Sequence, residues 1–197
     1  MMLPPRQKAF QLTERLEHPL DLYNHLPYRV AVISNLLMLD RDITIRSSTD
    51  LAPRELRVLL NVGSYMPITS ADVAYQTRID SYTVSRAVST LNKKGYLVFE
   101  SAENNKRVKL LALTEQGIEV YHQLCNQIEQ RTDKLSNVLS QKEQSELFRM
   151  LALIEDRAEH LLANQAKDLQ LTGETIPADQ KELIRWRKKS ARLLEED

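Results

Sequence analysis

The chain has 197 residues, of which 42% are hydrophobic and 27% are charged, and its 27 basic residues balance its 27 acidic residues. This composition is typical of a globular protein and excludes wholesale disorder, a collagen-like repeat and, with a single cysteine, a disulfide scaffold. The zero net charge at first argues against nucleic-acid binding, which usually goes with a basic excess. No apolar run is long enough to span a membrane and no secretory signal is found, so we expect a cytoplasmic protein without a membrane partner.

The N-terminal part predicts an arm followed by two helices. Residues 1–25 contain three prolines around a short amphipathic run and are predicted to form an arm that packs on another surface. From Pro27, apolar residues at helical spacing predict one long helix to about Ile45. Pro53 begins a shorter helix, which we expect Gly63 to close. With only four glycines in the chain, a mainly α fold is favoured.

The middle of the chain predicts two helices joined by a short turn and then a hairpin. Thr69 and Asp72 have capping-box spacing, which predicts a helix from Ser70 to about Thr77. Asp80 or Ser81 can cap a second helix, which runs to Lys94 and stops at Gly95. The β-prone runs 97–99 and 108–113 flank the polar stretch 101–107, which predicts a hairpin with a polar tip.

Long amphipathic helices dominate the C-terminal part. Thr114 caps a predicted helix to about Leu139, and Ser140 precedes another whose apolar stripe continues to about Leu161. Residues 165–177 are predicted to be a loop, and 178–194 a terminal helix or a partly ordered tail. The two stripes carry more apolar surface than one small domain can cover, so each needs a partner.

This order of elements is that of a winged helix-turn-helix, so the fold class is mainly α with a small β-hairpin wing (α+β). We assign 51–113 to the winged helix-turn-helix DNA-binding domain, 26–50 and 114–165 to a helical dimerisation region, and 166–197 to a C-terminal extension. Such a domain places its second helix in the major groove of double-stranded DNA.

The predicted second helix has the chemistry that DNA contact needs. Its polar and basic residues fall on the face opposite its apolar ones, and no acidic residue occurs between Asp80 and Glu100. Arg86 can offer a forked donor pair to guanine. In the basic hairpin tip, which includes Asn104 and Asn105, Arg107 is the residue expected to enter the minor groove or touch its phosphates. The candidate DNA-binding residues are Ser81, Tyr82, Thr83, Ser85, Arg86, Ser89, Lys93, Lys94, Lys106, Arg107 and Lys109.

The stretch IDSYTVSRAVSTLNKKGYLVFESAENNKRVKLLALTEQG, residues 79–117, resembles the core signature of MarR-type transcriptional regulators. That signature has an Asp, a Thr-Val-Ser-Arg-like run, a Leu, a Lys-Gly pair, a basic wing and a closing Leu-Thr-x-x-Gly. The segment LAPRELRVLLNVG, residues 51–63, resembles the family's preceding helix, so the similarity covers roughly residues 26–165. The family commonly has Asp before the basic pair of the wing, where this chain has Asn105.

The resemblance implies a sequence-specific regulator, in most cases a repressor, that acts as a homodimer on a pseudo-palindromic operator. It also implies a small-molecule or anion effector held between the dimerisation helices and the winged domain. His25, Tyr28, Arg29 and Arg57 are the candidate effector-binding residues, with ordinary interface and surface roles as the alternative.

Other functions have less support in the sequence. The main alternative is a winged-helix adaptor that binds a protein partner instead of DNA. Cys125 is either a redox sensor or a small core residue, and with His122 it does not make a metal site. No catalytic motif and no cofactor motif is present, so neither an enzyme nor a cofactor is expected.

The neutral total conceals segregated charge. Residues 1–53 carry 6 basic and 6 acidic side chains, 54–110 carry 9 and 5, and 111–197 carry 12 and 16. The winged segment is therefore basic, and neutrality predicts DNA binding confined to one face of the protein.

Overall fold

The computed structural model describes residues 9–102 and 105–195. The start of the predicted arm and the tip residue Asn104 lie outside these ranges. The chain divides into two compact units, Met1–Asp50 and Leu51–Asp197. Within the described ranges, every helix is too short or too polar to cross a membrane.

Between Leu26 and Ser48, two short α-helices stand in place of the single long helix that was predicted. Helix α1 spans Leu26–Leu37, a 3-10 turn spans Leu39–Arg41, and α2 spans Ile43–Ser48. The break occurs because the carboxylate of Asp42 accepts hydrogen bonds from the backbone amides of Thr44 and Ile45, at 3.0 and 3.2 Å, and so caps a new helix. The apolar spacing continues across the break, and the prediction of one helix to Ile45 was wrong.

The second unit contains six helices and one hairpin among its described residues. The elements are α3 (Pro53–Tyr65), α4 (Ser70–Thr77), α5 (Ser81–Lys93), β1 (Leu97–Ala102), β2 (Asn105–Leu113), α6 (Glu115–Ser136), α7 (Gln141–Leu171) and α8 (Ala178–Glu195). Its core includes Leu59, Val73, Val84, Leu91 and Leu111, each fully buried. The predicted fold class, mainly α with a small β-hairpin wing, is confirmed.

Helices α4 and α5 begin and end where the capping pattern predicts. The Thr69 hydroxyl accepts from the Asp72 amide at 3.1 Å at the start of α4. Asp80, one of the two predicted caps, accepts from the Thr83 amide at 2.8 Å at the start of α5. Gly95 follows α5 with a φ of 78°, the left-handed conformation that glycine adopts without steric cost.

The strands of the wing extend further than the sequence predicted. The strands β1 and β2 pair antiparallel from Leu97 opposite Leu113 to Ser101 opposite Lys109, and the register then shifts so that Ala102 lies opposite Asn105. Lys106 and Arg107 therefore lie on β2 and not in a loop, in the part of the strand where the register shifts. At the base of the hairpin, Ile68 and Leu111 exchange two backbone hydrogen bonds, of 3.2 and 2.8 Å. These bonds join the wing to the start of the helix-turn-helix.

Two glycines allow close packing between elements. Gly63 lies inside α3 and does not close it, so that prediction was wrong; a Cβ there would overlap the ring of Tyr121 on α6. A Cβ on Gly117, in the first turn of α6, would overlap the backbone carbonyl of Tyr96. Both positions require glycine because another chain segment passes where a side chain would begin.

The C-terminal extension is ordered and docks on the helix-turn-helix. Helix α7 continues to Leu171, so the first part of the predicted 165–177 loop is helical. Helix α8 then packs along α7. The buried carboxylate of Glu182 accepts hydrogen bonds from the Ser81 backbone amide through both oxygens, at 3.0 and 3.1 Å. The C-terminal extension thus supplies a second cap for α5.

A cluster of contacts joins α8 to α7 and to the turn between α4 and α5. Arg78, in the turn between α4 and α5, pairs with the buried Glu159 of α7 at 2.6 Å. Ser190 of α8 donates to Glu159 at 2.7 Å and lies 2.9 Å from the Tyr75 hydroxyl. The guanidinium of Arg78 also lies 5.7 Å from the ring centroid of Trp186. We call these five residues the Arg78 cluster.

The substitution Glu182→Ala tests the docking of α8. Removing charge-assisted hydrogen bonds to the start of α5 should cost about 1.5–3 kcal/mol of stability. Trp186, the single tryptophan, should become more exposed to water. We expect a lower thermal midpoint and a red-shifted tryptophan emission. Glu195→Ala, an exposed position on the same helix, should change neither, and an unchanged Glu182→Ala protein would contradict the capping role.

Candidate nucleic-acid interface

Helix α5 presents a polar and basic surface on the side away from the core. Its inward residues, Val84, Ala87, Val88 and Leu91, are buried. This face seats the helix on α3 and α4. Of the predicted DNA-binding residues on this segment, Ser81, Tyr82, Ser85, Arg86, Ser89 and Lys93 are exposed, whereas Thr83 and Lys94 are half-buried.

Arg86 and Tyr82 form a pair one turn apart on this surface. The guanidinium of Arg86 lies 5.8 Å from the centroid of the Tyr82 ring, within the range of a cation–π contact. Tyr82 is 71% exposed, so the pair projects from the helix into solvent. Stacking on the ring restricts the orientation of the guanidinium and leaves its N–H groups available as donors.

A cleft of about 280 Å³ separates the start of α3 from the exposed side of α5. Arg86 and Tyr82 line it on one side, and Arg54 and Glu55 from the first turn of α3 line it on the other. Arg54 was missed from the sequence because that turn was considered only as a helix start. Arg54 and Asp80 are far apart along the chain, so the sequence alone does not predict that the fold brings them together.

The carboxylate at the start of α5 stays charged. Hydrogen bonds from the backbone amide and the hydroxyl of Thr83, with a smaller effect of the Arg54 charge, hold the pKa of Asp80 below its ordinary value. The cap is therefore ionised at neutral pH. Because Asp80 bonds inward to the backbone, its charge faces the helix terminus and leaves the exposed face of α5 free of acidic side chains.

The wing provides a second basic surface. Lys106, Arg107 and Lys109 are all exposed on β2. The Asn105 side-chain oxygen accepts from the backbone amide of Arg107 at 3.1 Å. This contact shapes the end of the strand and leaves the guanidinium of Arg107 unconstrained by Asn105. Lys109 lies 5.5 Å from the centroid of the Phe99 ring on the neighbouring strand.

The candidate effector residues occupy separate parts of the chain. In the first unit, His25 caps α1 by accepting from the Tyr28 amide at 3.4 Å, and Arg29 stacks 4.3 Å from the centroid of the Tyr23 ring. In the second unit, Arg57 is exposed on α3. Effector binding at these residues stays a prediction.

Cys125 is a free, half-buried thiol on α6. Among the residues that the structure describes, no three His, Cys, Asp or Glu side chains form a group able to hold a metal ion. The choice between a redox role and a packing role for Cys125 stays open.

Comparison with known proteins shows similarity to transcriptional regulators in sequence. Residues 49–108 match the family model described as MarR family. An HTH-type transcriptional regulator of Bacillus cereus, itself uncharacterised, is 27% identical over 111 residues, which cover 56% of this chain and 74% of that protein. The residues matched by the family model include both helices of the helix-turn-helix and most of the wing.

Two solved structures share the fold. A MarR/EmrR family regulator from Acinetobacter sp. ADP1 superposes with a TM-score of 0.66 and 21% identity, over 72% of this chain and 99% of that one. A putative MarR family regulator from Listeria monocytogenes, solved with a 26mer DNA, gives 0.62 and 23%, over 77% and 97%. With its helix-turn-helix and basic wing, this chain is similar to transcriptional regulators of the MarR family, and residues 49–108 carry the match to the family model.

Proposed function

We propose that this regulator binds double-stranded DNA sequence-specifically as a homodimer, with α5 in the major groove and the wing on the flanking backbone. The observation that carries the proposal is the exposed face of α5, which combines Arg86 with hydroxyl side chains and contains no acidic residue. The Listeria monocytogenes relative, of the same fold, was solved with DNA. That complex supports the proposal through the shared architecture.

Arg86 is the residue that we assign to base recognition. It sits in the second turn of α5, and the N-terminal residues of a recognition helix are those that reach base edges. A guanidinium can donate two parallel hydrogen bonds to guanine O6 and N7 in the major groove. Tyr82 beside it and Ser85 on the same face add contacts that position the helix, whereas Lys93 at the far end faces phosphates.

The apolar surface that α7 leaves open supports the proposed homodimer. Leu147, Met150, Leu151, Ile154 and Leu161 share one side of α7 and each is at least 38% exposed. The opposite side carries Glu159, Ala163 and Ala166, which are buried against the rest of the second unit. A stripe this long in water is typical of an interface, and a second copy of α7 is the self-complementary partner that a two-fold axis supplies.

Repression and control by an effector complete the proposal. A dimer that covers an operator blocks other proteins from the same DNA, and a ligand that changes the separation of the two α5 helices changes their fit to half-sites one helical turn apart. His25, Tyr28, Arg29 and Arg57 are the residues to test for such a ligand.

The substitution Arg86→Ala tests base recognition. On a duplex selected by the wild-type protein from random sequence, we expect a loss of roughly 1–3 kcal/mol in binding and relaxed preference at one base position of each half-site. Lys93→Ala should instead weaken binding to selected and scrambled duplexes equally and reduce the salt dependence. Fluorescence anisotropy across a salt series measures both effects.

Two results would contradict the proposed DNA binding. Salt-insensitive binding, or no binding to any duplex, would refute the proposal. A stoichiometric protein partner that is retained when Arg86 and Arg107 are both neutralised would favour the winged-helix adaptor instead.

The double substitution Leu151→Glu with Ile154→Glu tests the dimer. Four added charges in a two-fold interface should separate the chains, so sedimentation velocity should change from twice the chain mass to the chain mass. Lys167→Glu, exposed on the other side of α7, is the matched control and should leave the dimer intact. A wild-type monomer, or a double variant that still dimerises, would contradict the assignment.

A further inference from the structure

Helix α8 carries a basic stripe that the core helix-turn-helix does not account for. Its exposed residues include Lys181, Arg185, Lys188 and Arg192, spaced at four, three and four residues. At about 100° per residue these four side chains fall within roughly 60° of one another around the helix axis. The stripe ends before Glu195, and Asp179 and Glu182 lie on other sides of the helix.

The docking contacts orient this stripe. Glu182 and Lys189, which contact Ser81 and Asp72 of the helix-turn-helix, lie about 80° around α8 from the centre of the stripe. Arg187, which pairs with Asp156 of α7, lies about 130° away in the other direction. The stripe therefore opens to solvent on the side of α8 that adjoins the helix-turn-helix.

The same contacts place α8 alongside α4. Glu182 meets the residue that begins α5, and Lys189 meets the first turn of α4, so α8 runs antiparallel to α4. Partial burial favours the neutral acid of Asp72, but the Lys189 ammonium and the Thr69 hydroxyl together hold the pKa of Asp72 below its ordinary value. The contact that fixes this end of α8 is thus an ion pair at neutral pH.

The position of α4 determines what the stripe faces. When the second helix of a helix-turn-helix lies in the major groove, the first helix crosses the sugar-phosphate backbone. Helix α8 lies antiparallel beside α4 and carries four cations on the side next to the helix-turn-helix. It would therefore lie near further phosphates of the same backbone. Long Lys and Arg side chains that are exposed to solvent are suited to phosphate oxygens.

We infer that α8 is a third DNA-contacting element, whose stripe of Lys181, Arg185, Lys188 and Arg192 binds phosphates that flank each half-site. The inference rests on the proposed function, because it requires α5 to dock in the major groove. It adds sequence-independent contacts outside the helix-turn-helix and the wing. Phosphate contacts of this kind strengthen binding to all duplexes and fix the register of the protein on DNA.

The test replaces all four stripe residues by Gln in the full-length chain. Each phosphate interaction that the substitutions remove should reduce the slope of log K against log salt by about 0.9, so removing one per chain already reduces the slope of a dimer by about 1.8. Binding to the selected and to the scrambled duplex should weaken by the same factor, which leaves the ratio between them unchanged. Trp186 emission reports whether α8 stays docked.

A second pair of proteins separates local contact from net charge. Gln at Lys134, Lys142, Arg157 and Lys167 removes the same charge from exposed positions on α6 and α7, and should retain the wild-type slope. Lys188→Gln with Arg192→Gln, far from the Glu182 contact, should give about half of the full effect.

Three results would overturn the inference. A stripe variant with the same slope as the α6 and α7 control would show that the stripe touches no phosphate. Tighter binding by the stripe variant would show that α8 screens α5 from DNA. After either of these two results, the proposed function still stands if wild-type protein binds duplex DNA and loses specificity on Arg86→Ala. If wild-type protein binds no duplex, the inference and the proposed function both fail.

Discussion

The ion pair between Arg78 and Glu159 determines how the helix-turn-helix is held. Arg78 occupies the turn itself, with a φ of 53°, and Glu159 is buried on α7. Burial of a carboxylate is costly unless a cation compensates it, and breaking such a pair typically costs about 3–5 kcal/mol because one charge is left unpaired. Since the partner of Glu159 sits between α4 and α5, α7 can approach only when this turn is formed. This contact thus links the helix that we propose for DNA recognition, α5, to the long helix of the proposed interface, α7.

The same cluster makes the C-terminal extension part of the domain. Ser190 donates to Glu159, and the ring of Trp186 lies beside Arg78. Helix α8 therefore adds a hydrogen bond to the buried Glu159 carboxylate and an apolar ring beside its partner Arg78. Its other anchor, Glu182, accepts from the first amide of α5, where the helix dipole favours an anion. Both anchors fix α8 relative to the helix-turn-helix.

Local rules were sufficient for the helix-turn-helix. The caps at Thr69 and Asp80 and the stop at Gly95 involve residues close to one another along the chain, so their effects are visible in the sequence. The failures involve contacts distant along the chain or rules that compete. Gly63 resembled a helix stop but serves the approach of Tyr121, 58 residues later, and the cap at Asp42 overrode an uninterrupted apolar period. Arg54 and the docked α8 were missed because only the folded chain brings them to α5.

The charge distribution was the other point at which sequence and fold diverged. The sum over residues 111–197 is acidic, which suggested an acidic tail, yet α8 itself has six basic and three acidic residues. The acidic excess belongs to α6, α7, Glu174 and the last two residues of the sequence, Glu196 and Asp197. Of the nine charges on α8, Glu182, Arg187 and Lys189 pair with the protein, and the remaining six are four basic and two acidic residues. Neutrality of the chain is therefore compatible with basic side chains exposed on α5 and on α8, because acidic residues elsewhere balance them.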